Sequence, residues 1–336
     1  MVNFGVIVSD ESYDKSTALK IINKFLPRAA ADLLTFNWKK CECKAIQGAI
    51  QEIDFNIFVI KAPFSKQYLN TLNKNIIEKV CEQLKIRLLS NQIKHIMIPE
   101  NIGKYQEYIH AFLTDNKFAI SQGKEILTCL AVDILKKLSK ITDMEITDMD
   151  IAVLDMQLTN KSRYLINVLS SCARYITLIT RDIQTAEEYA RQVFENTGLS
   201  IRVTDACAIT QRPYHILFIA EKPEGADLRK ITGSKTIIFY LGSERILINK
   251  AYRLLVDGIS TTFNGITFSQ TGLVDISEQT GIFEMIMLIQ MEKYPAPLAA
   301  EDYAVIRNKF YELGGVITAL KSSQRPVKFS NLQEYI

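Results

Sequence analysis

Apolar residues along this chain follow two rhythms, and the way they alternate predicts an α/β fold. Short apolar runs read as buried strands at residues 4–8, 55–60, 95–98, 151–154, 175–180, 201–204, 216–220 and 236–240. Between them, apolar residues recur at three- and four-residue steps. Ala18, Leu19, Ile22 and Phe25 mark a helix over 16–25, and Leu72, Ile76, Ile77, Val80 and Leu84 mark a long amphipathic region over 69–89. Ile126, Leu127, Leu130, Ile134 and Leu138 mark a helix over 123–140, followed by an acidic stretch at 143–150. Further helices are expected at 162–171, 185–196, 277–293 and 302–313. Strand and helix alternating in this way calls for a parallel sheet with right-handed crossovers.

The expected architecture is two α/β domains, the second a Rossmann-like parallel sheet. Residues 1–122 would form the first domain and 123–299 the second. The helix at 300–315 would pack back on the first domain, and 316–336 would be a C-terminal tail. The face of the 277–293 helix, with Ile282, Met285, Ile286, Leu288 and Ile289, suits core packing first and a dimer face or binding groove second.

Composition narrows the class. At 336 residues with 48% hydrophobic and 23% charged, this is an ordinary globular balance, and a net charge of +3 excludes a strongly basic nucleic-acid binder. Lys39, Lys40 and Lys44 cluster round Trp38 but no basic stripe continues them, so a solvated surface is expected. The six cysteines are scattered, and the start lacks a secretory pattern, so reduced thiols in the cytoplasm are expected. Cys41 and Cys43 form a close pair with no second pair to complete a zinc site. No apolar run approaches the roughly 18 residues of a membrane span. His95, His110 and His215 lie far apart, and His215 reads as structural. Neither a G-x-S-x-G elbow nor a Walker loop is present. Lys61 and Lys66 follow a strand, where shikimate dehydrogenases carry a catalytic lysine, but only a proline and a lysine match.

The chemistry of the chain turns on the connection after the strand at 151–154. In a dinucleotide-binding β-α-β unit this connection carries G-x-G-x-x-G, so that bare backbone and the helix N-terminus meet a pyrophosphate. Here it reads Asp155, Met156, Gln157, Leu158, Thr159, Asn160, Lys161, with Asp155, Gln157 and Asn160 in the three glycine slots. Asp155 would also set a negative charge beside a phosphate. Such a contact at ~4 Å costs up to about 4 kcal/mol, or about three decades of affinity. Lys161 is the one candidate counter-charge. Thr180 and Arg181 close the second strand, and an arginine there is where NADP enzymes hold the 2′-phosphate. The plainer reading pairs Arg181 with Asp182 in solvent.

Three stretches, in order, resemble the long-chain acyl-(acyl-carrier-protein) reductases, whose Rossmann domain is also similar to those of shikimate dehydrogenases and glutamyl-tRNA reductases. They are Ala119-Ile120-Ser121-Gln122-Gly123-Lys124, the β-α-β from 151 to 182 ending in Leu-Ile-Thr-Arg-Asp, and Phe283-Glu284-Met285-Ile286-Met287-Leu288 with the helix from Ala300 to Gly314-Gly315. The resemblance implies NADPH and an acyl-thioester intermediate. Both requirements fail here. The glycine loop is absent, and the cysteine expected three residues before Glu284 is Gly281. The expectation is therefore a catalytically inactive Rossmann-type protein with no cofactor and no metal, binding a small molecule or a protein partner. Nucleic acid and membrane are not expected as partners, and a homodimer is a further possibility. The alternative is an NADP-dependent oxidoreductase, acting on an acyl-thioester or carbonyl, with an atypical loop.

Overall fold

The computed structural model describes residues 2–8, 41–61, 74–98, 106–206, 213–224, 226–242, 246, 252, 254–269, 279–293, 297–322 and 325–329. The helix expected at 16–25, the cluster at Trp38, Lys39 and Lys40, and Lys66 and Cys207 lie outside these residues. The chain forms two units: Met1–Gln122 with Phe263–Pro297, and Gly123–Thr262 with Leu298–Ile336.

The first unit opens with β1 (Val2–Val8), β2 (Glu42–Ile50) and β3 (Ile53–Lys61). It continues with α1 (Lys74–Ser90), β4 (His95–Met97), α2 (Gln106–Asp115) and β5 (Ala119–Ser121). β2 and β3 form a hairpin turning at Gln51, whose φ is 51°. In that hairpin Gly48 faces Phe55, and a Cβ on Gly48 would lie 2.5 Å from the Phe55 ring, so the glycine gives the ring its place. β1 runs parallel to both β3 and β4, and β4 parallel to β5. Ile76, Ile77, Val80 and Leu84 of α1 are buried in a core with Ile60, Ile96 and Ile120, the face their spacing predicts.

The second unit begins with α3 (Lys124–Thr142), followed by β6 (Asp150–Leu154), α4 (Asn160–Leu169), β7 (Tyr175–Thr180), α5 (Ile183–Thr197) and β8 (Ile201–Asp205). β9 (Ile216–Ile219), β10 (Ile237–Tyr240) and β11 (Leu254–Val256) complete a parallel sheet. Its order is β11-β10-β9-β6-β7-β8, with every neighbouring pair parallel. That is the 3-2-1-4-5-6 order of a doubly wound Rossmann domain, and the order reverses between β6 and β9. Ile151, Ala152, Val153 and Leu154 are fully buried, as an unbroken apolar run on a central parallel strand requires.

The chain then passes through β12 (Gly258–Phe263) into β13 (Ile266–Phe268), which pairs antiparallel with β2 and completes the first sheet, order β13-β2-β3-β1-β4-β5. Next comes α6 (Gln279–Gln290), which packs on β1, β4 and β5 and is buried on all sides from Gln279 to Leu288. Ile282, Met285, Ile286 and Leu288 of its stripe are thus buried, while Ile289 is half-buried.

The chain returns to the second unit with α7 (Ala300–Glu312), β14 (Gly315–Ser322) and β15 (Arg325–Lys328). The expected boundaries need correcting at both places. The 279–290 helix belongs with the first unit, and α7 packs on α3 and α4 of the second. The reason is specific pairing. Arg307 donates two hydrogen bonds to Asp133 at 2.6 and 2.7 Å, Tyr303 donates to Glu125 at 2.9 Å, and its ring stacks on Tyr164 at 5.2 Å. Nor are residues 316–336 only a tail, since β14 and β15 form a three-stranded sheet with β12.

Among the described residues, no helix is long and apolar enough to cross a membrane, and no group of side chains is arranged to hold a metal ion. Cys41, Cys43, Cys81, Cys129 and Cys172 are free thiols. Burial pushes Cys41 up to about 11 and Cys81 up to about 12, which leaves both protonated and unreactive at neutral pH.

Candidate functional site

β6 ends at Leu154, and the backbone N–H of Asp155 still continues the ladder to the carbonyl of Ile179 at 3.0 Å. The Asp155 side chain then turns inward and is 2% exposed. Its carboxylate accepts four hydrogen bonds. The backbone N–H of Gln157 donates to Oδ1 at 3.2 Å. The backbone N–H of Thr159 (2.6 Å), the Thr159 hydroxyl (2.7 Å) and the Ser162 hydroxyl (2.5 Å) donate to Oδ2. A helix N-terminus leaves such donors unsatisfied and favours a negative charge. In a dinucleotide-binding domain they serve the pyrophosphate. Here Asp155 takes two backbone N–H groups of the loop just ahead of α4, those of Gln157 and Thr159, together with two hydroxyls. A buried carboxylate thus sits among the donors that lead into the helix.

The rest of the loop serves the same closed arrangement. Leu158 adopts a left-handed backbone at φ 51° and buries its side chain to 4% exposure. The left-handed turn thus falls on a leucine outside all three glycine slots. Met156 is half-buried and its carbonyl accepts from the Thr180 hydroxyl at 3.2 Å. Gln157 is exposed. Asn160, also exposed, donates to the carbonyl of Leu298 at 2.9 Å.

Lys161 is held by partners of its own. Its side chain is 10% exposed, and its ammonium meets Glu125 at 3.2 Å, Glu221 at 3.3 Å and the carbonyl of Leu241 at 3.1 Å. Burial works against the charge, but the two carboxylates outweigh it and hold the ammonium above the ordinary lysine range. Tyr303, donating to Glu125, is held well above the usual phenol range by burial and then by that carboxylate. This cluster of Glu125, Lys161, Glu221 and Tyr303 escaped sequence reasoning. Its members come from α3, α4, the end of β9 and α7, and no spacing joins them.

At the end of β7, Thr180 is fully buried and holds the loop through Met156. Arg181 is exposed and donates to the carbonyl of Glu224 at 2.6 Å. The expected pairing of Arg181 with Asp182 gives way to helix capping, since Asp182 accepts from the backbone N–H of Thr185 at 3.2 Å and starts α5. Together, the end of β6, the start of α4 and the end of β7 do bring Asp155–Lys161, Thr180 and Arg181 to one edge of the sheet.

The other candidates are structural. A Cβ on Gly281 would lie 2.5 Å from the sulfur of Met97, so α6 approaches β4 through the bare glycine. Three residues on, the buried Glu284 accepts a very short hydrogen bond from the Ser121 hydroxyl. Lys61 is the last residue of β3, in register with Glu42 on one side and Val8 on the other. His215 accepts from the backbone N–H of Asp150 through Nδ1 at 2.9 Å, which ties β6 to β9. Half-buried His95 titrates below the usual range because of burial and then Lys94.

No family model matches the chain. No curated protein matches it either. The narrower resemblance to acyl-(acyl-carrier-protein) reductases thus gains no support, while the strand order by itself gives the Rossmann frame. Solved structures similar to the chain include L-tryptophan dehydrogenase from Nostoc punctiforme, with 13% identity over 93% of this chain and 80% of that one, TM-score 0.34. Shikimate 5-dehydrogenase from Listeria monocytogenes, in complex with shikimate and NAD, shares 10% identity over 99% and 96% of the two chains, TM-score 0.28. Aspartate transcarbamoylase from Trypanosoma cruzi shares 12% identity over 74% and 72%, TM-score 0.29.

Proposed function

We propose that this protein is a Rossmann-type binding protein whose β6–α4 loop does not take a dinucleotide, and whose role is to bind a small molecule or a protein partner. The observation that carries this reading is Asp155, buried and accepting four hydrogen bonds from its own loop and helix. A pyrophosphate could enter only by expelling that carboxylate and leaving it buried, unpaired and beside a like charge. The test is thermal unfolding of the full chain with NADPH, NADP, NADH or NAD. A ligand at a hundredfold excess over its Kd stabilises by about 2.7 kcal/mol. No shift with any of the four is expected; a saturable shift of several degrees would overturn the reading.

A second reading, an NADP-dependent oxidoreductase, is favoured by one observation. Arg181 is exposed at the end of the second strand of the Rossmann sheet, where a 2′-phosphate would be met. It requires NADPH to bind and Arg181→Ala to weaken that binding selectively over NADH.

A further inference from the structure

Just past β9, the N–H of Ala220 donates to the carbonyl of Leu154 at 3.0 Å and carries the ladder with β6 one residue further. The next four residues, Glu221-Lys222-Pro223-Glu224, leave the ladder. Pro223 disfavours helical backbone at Lys222, the residue before it, and the N–H of Glu224 donates to the carbonyl of Lys222 at 3.0 Å. Glu221 and Pro223 are half-buried, and Lys222 and Glu224 are exposed.

Two cations reach this segment from different elements. At its first residue, the Glu221 carboxylate meets the ammonium of Lys161, in the first turn of α4, at 3.3 Å. At its last, the carbonyl of Glu224 accepts from Nη2 of Arg181, the residue after β7, at 2.6 Å. In the sheet, β6 lies between β9 and β7. Two interstrand steps amount to about 10 Å, a distance that three extended residues cover. The segment and the Arg181 side chain together therefore bridge from β9 to β7 over the carboxyl end of β6. The strand order reverses there, between β6 and β9, and at such a point doubly wound sheets take their ligands.

We infer that residues 221–224 form a closed strap over the carboxyl end of β6, fastened to α4 by Lys161 and to β7 by Arg181, and that a solute reaches this edge of the second sheet when the strap lifts. The two fastenings differ in how readily they let go. Lys161 is 10% exposed and has Glu125 and the carbonyl of Leu241 as further partners on the buried side. Arg181 and Glu224 are both exposed, so water replaces each partner at little cost. Opening therefore starts at the β7 end and pivots on Glu221. Arg181 is a positioning residue in this role. The inference rests on neither reading of the nucleotide loop, because it concerns access to the edge and not the identity of what enters.

The experiment follows opening and access separately, on the full chain under native conditions. Opening is read with a protease that cuts after glutamate, its first cuts mapped by mass spectrometry. Arg181→Ala is expected to speed cleavage after Glu224 about tenfold over the wild type, with no matching change after Glu187 or Glu188 on α5 and no change in Tm. Access is read by alkylation of a cysteine placed just past β6, Met156→Cys, resolved from the native thiols by peptide mass. Adding Arg181→Ala is expected to speed that alkylation by a similar factor. Cleavage after Glu224 that is as fast in the wild type as in Arg181→Ala, or that rises equally on α5, would overturn the strap. So would alkylation at 156 that ignores Arg181→Ala.

Discussion

Asp155 and Lys161 stand at the two ends of one loop, and each buries a charge by a different route. Asp155 is satisfied locally, by two backbone N–H groups and two hydroxyls from residues 157–162. Lys161 is satisfied at long range, by partners on α3, after β9 and after β10. The local solution fixes a loop on itself. The distant one ties secondary-structure elements together across the sheet. The same few residues thus combine a self-contained turn with a tertiary cross-link, and neither charge is left for a phosphate.

Substitutions test this contrast, and the largest effect should fall on the cross-link. Lys161→Met leaves Glu125 and Glu221 without their cation, and urea unfolding should show a loss of about 3–5 kcal/mol. Next comes Asp155→Ala, which removes the acceptor of four donors, of which the Ser162 hydroxyl keeps the Thr159 carbonyl, and should cost about 2 kcal/mol. Asp155→Asn should recover much of this, since its amide oxygen in the Oδ2 position keeps three of the four donors and its nitrogen faces only the Gln157 N–H. Leu158→Gly relieves the left-handed backbone, worth about 1–2 kcal/mol, but loses a buried side chain worth about 1.5–3 kcal/mol, so a net loss of about 1 kcal/mol is expected in the same assay. The smallest effect belongs to exposed Arg181. Arg181→Ala should change stability by less than about 0.5 kcal/mol and leave the thermal response to NADPH as flat as in the wild type.

The alternation of buried strands and amphipathic helices was enough to read the parallel core of the second unit. The β-α-β frame at 150–180 stands within a residue or two of the sequence reading, because apolar runs on central parallel strands have few other homes. The anomaly at Asp155, Gln157 and Asn160 was legible for the same reason: a missing glycine needs no partner to be noticed. Asp155's position in the place of the ligand's charge could be seen only once the turn at Leu158 brought the Thr159 N–H and the Ser162 hydroxyl onto one oxygen. α7 shows the limit more sharply. Its periodicity gives a buried face, but which unit it meets is decided by Arg307 and Asp133, 174 residues apart. β2 was missed because Lys44, Gln47 and Gly48 interrupt its apolar rhythm; the strand is held by its hairpin with β3 and by β13, far along the chain.

The threading of the chain also sets an order of events during synthesis. The first unit opens with residues 1–122 but lacks β13 and α6 until residues 263–297 have left the ribosome, and the second lacks α7, β14 and β15 until still later. α6, buried on all sides, is the piece that covers β1, β4 and β5. A nascent chain halted before it would present an uncovered apolar sheet to the cytosol of any expressing cell, a surface that chaperones bind and neighbouring chains aggregate through. Both units therefore reach closure only once the stretch 263–336 has been made.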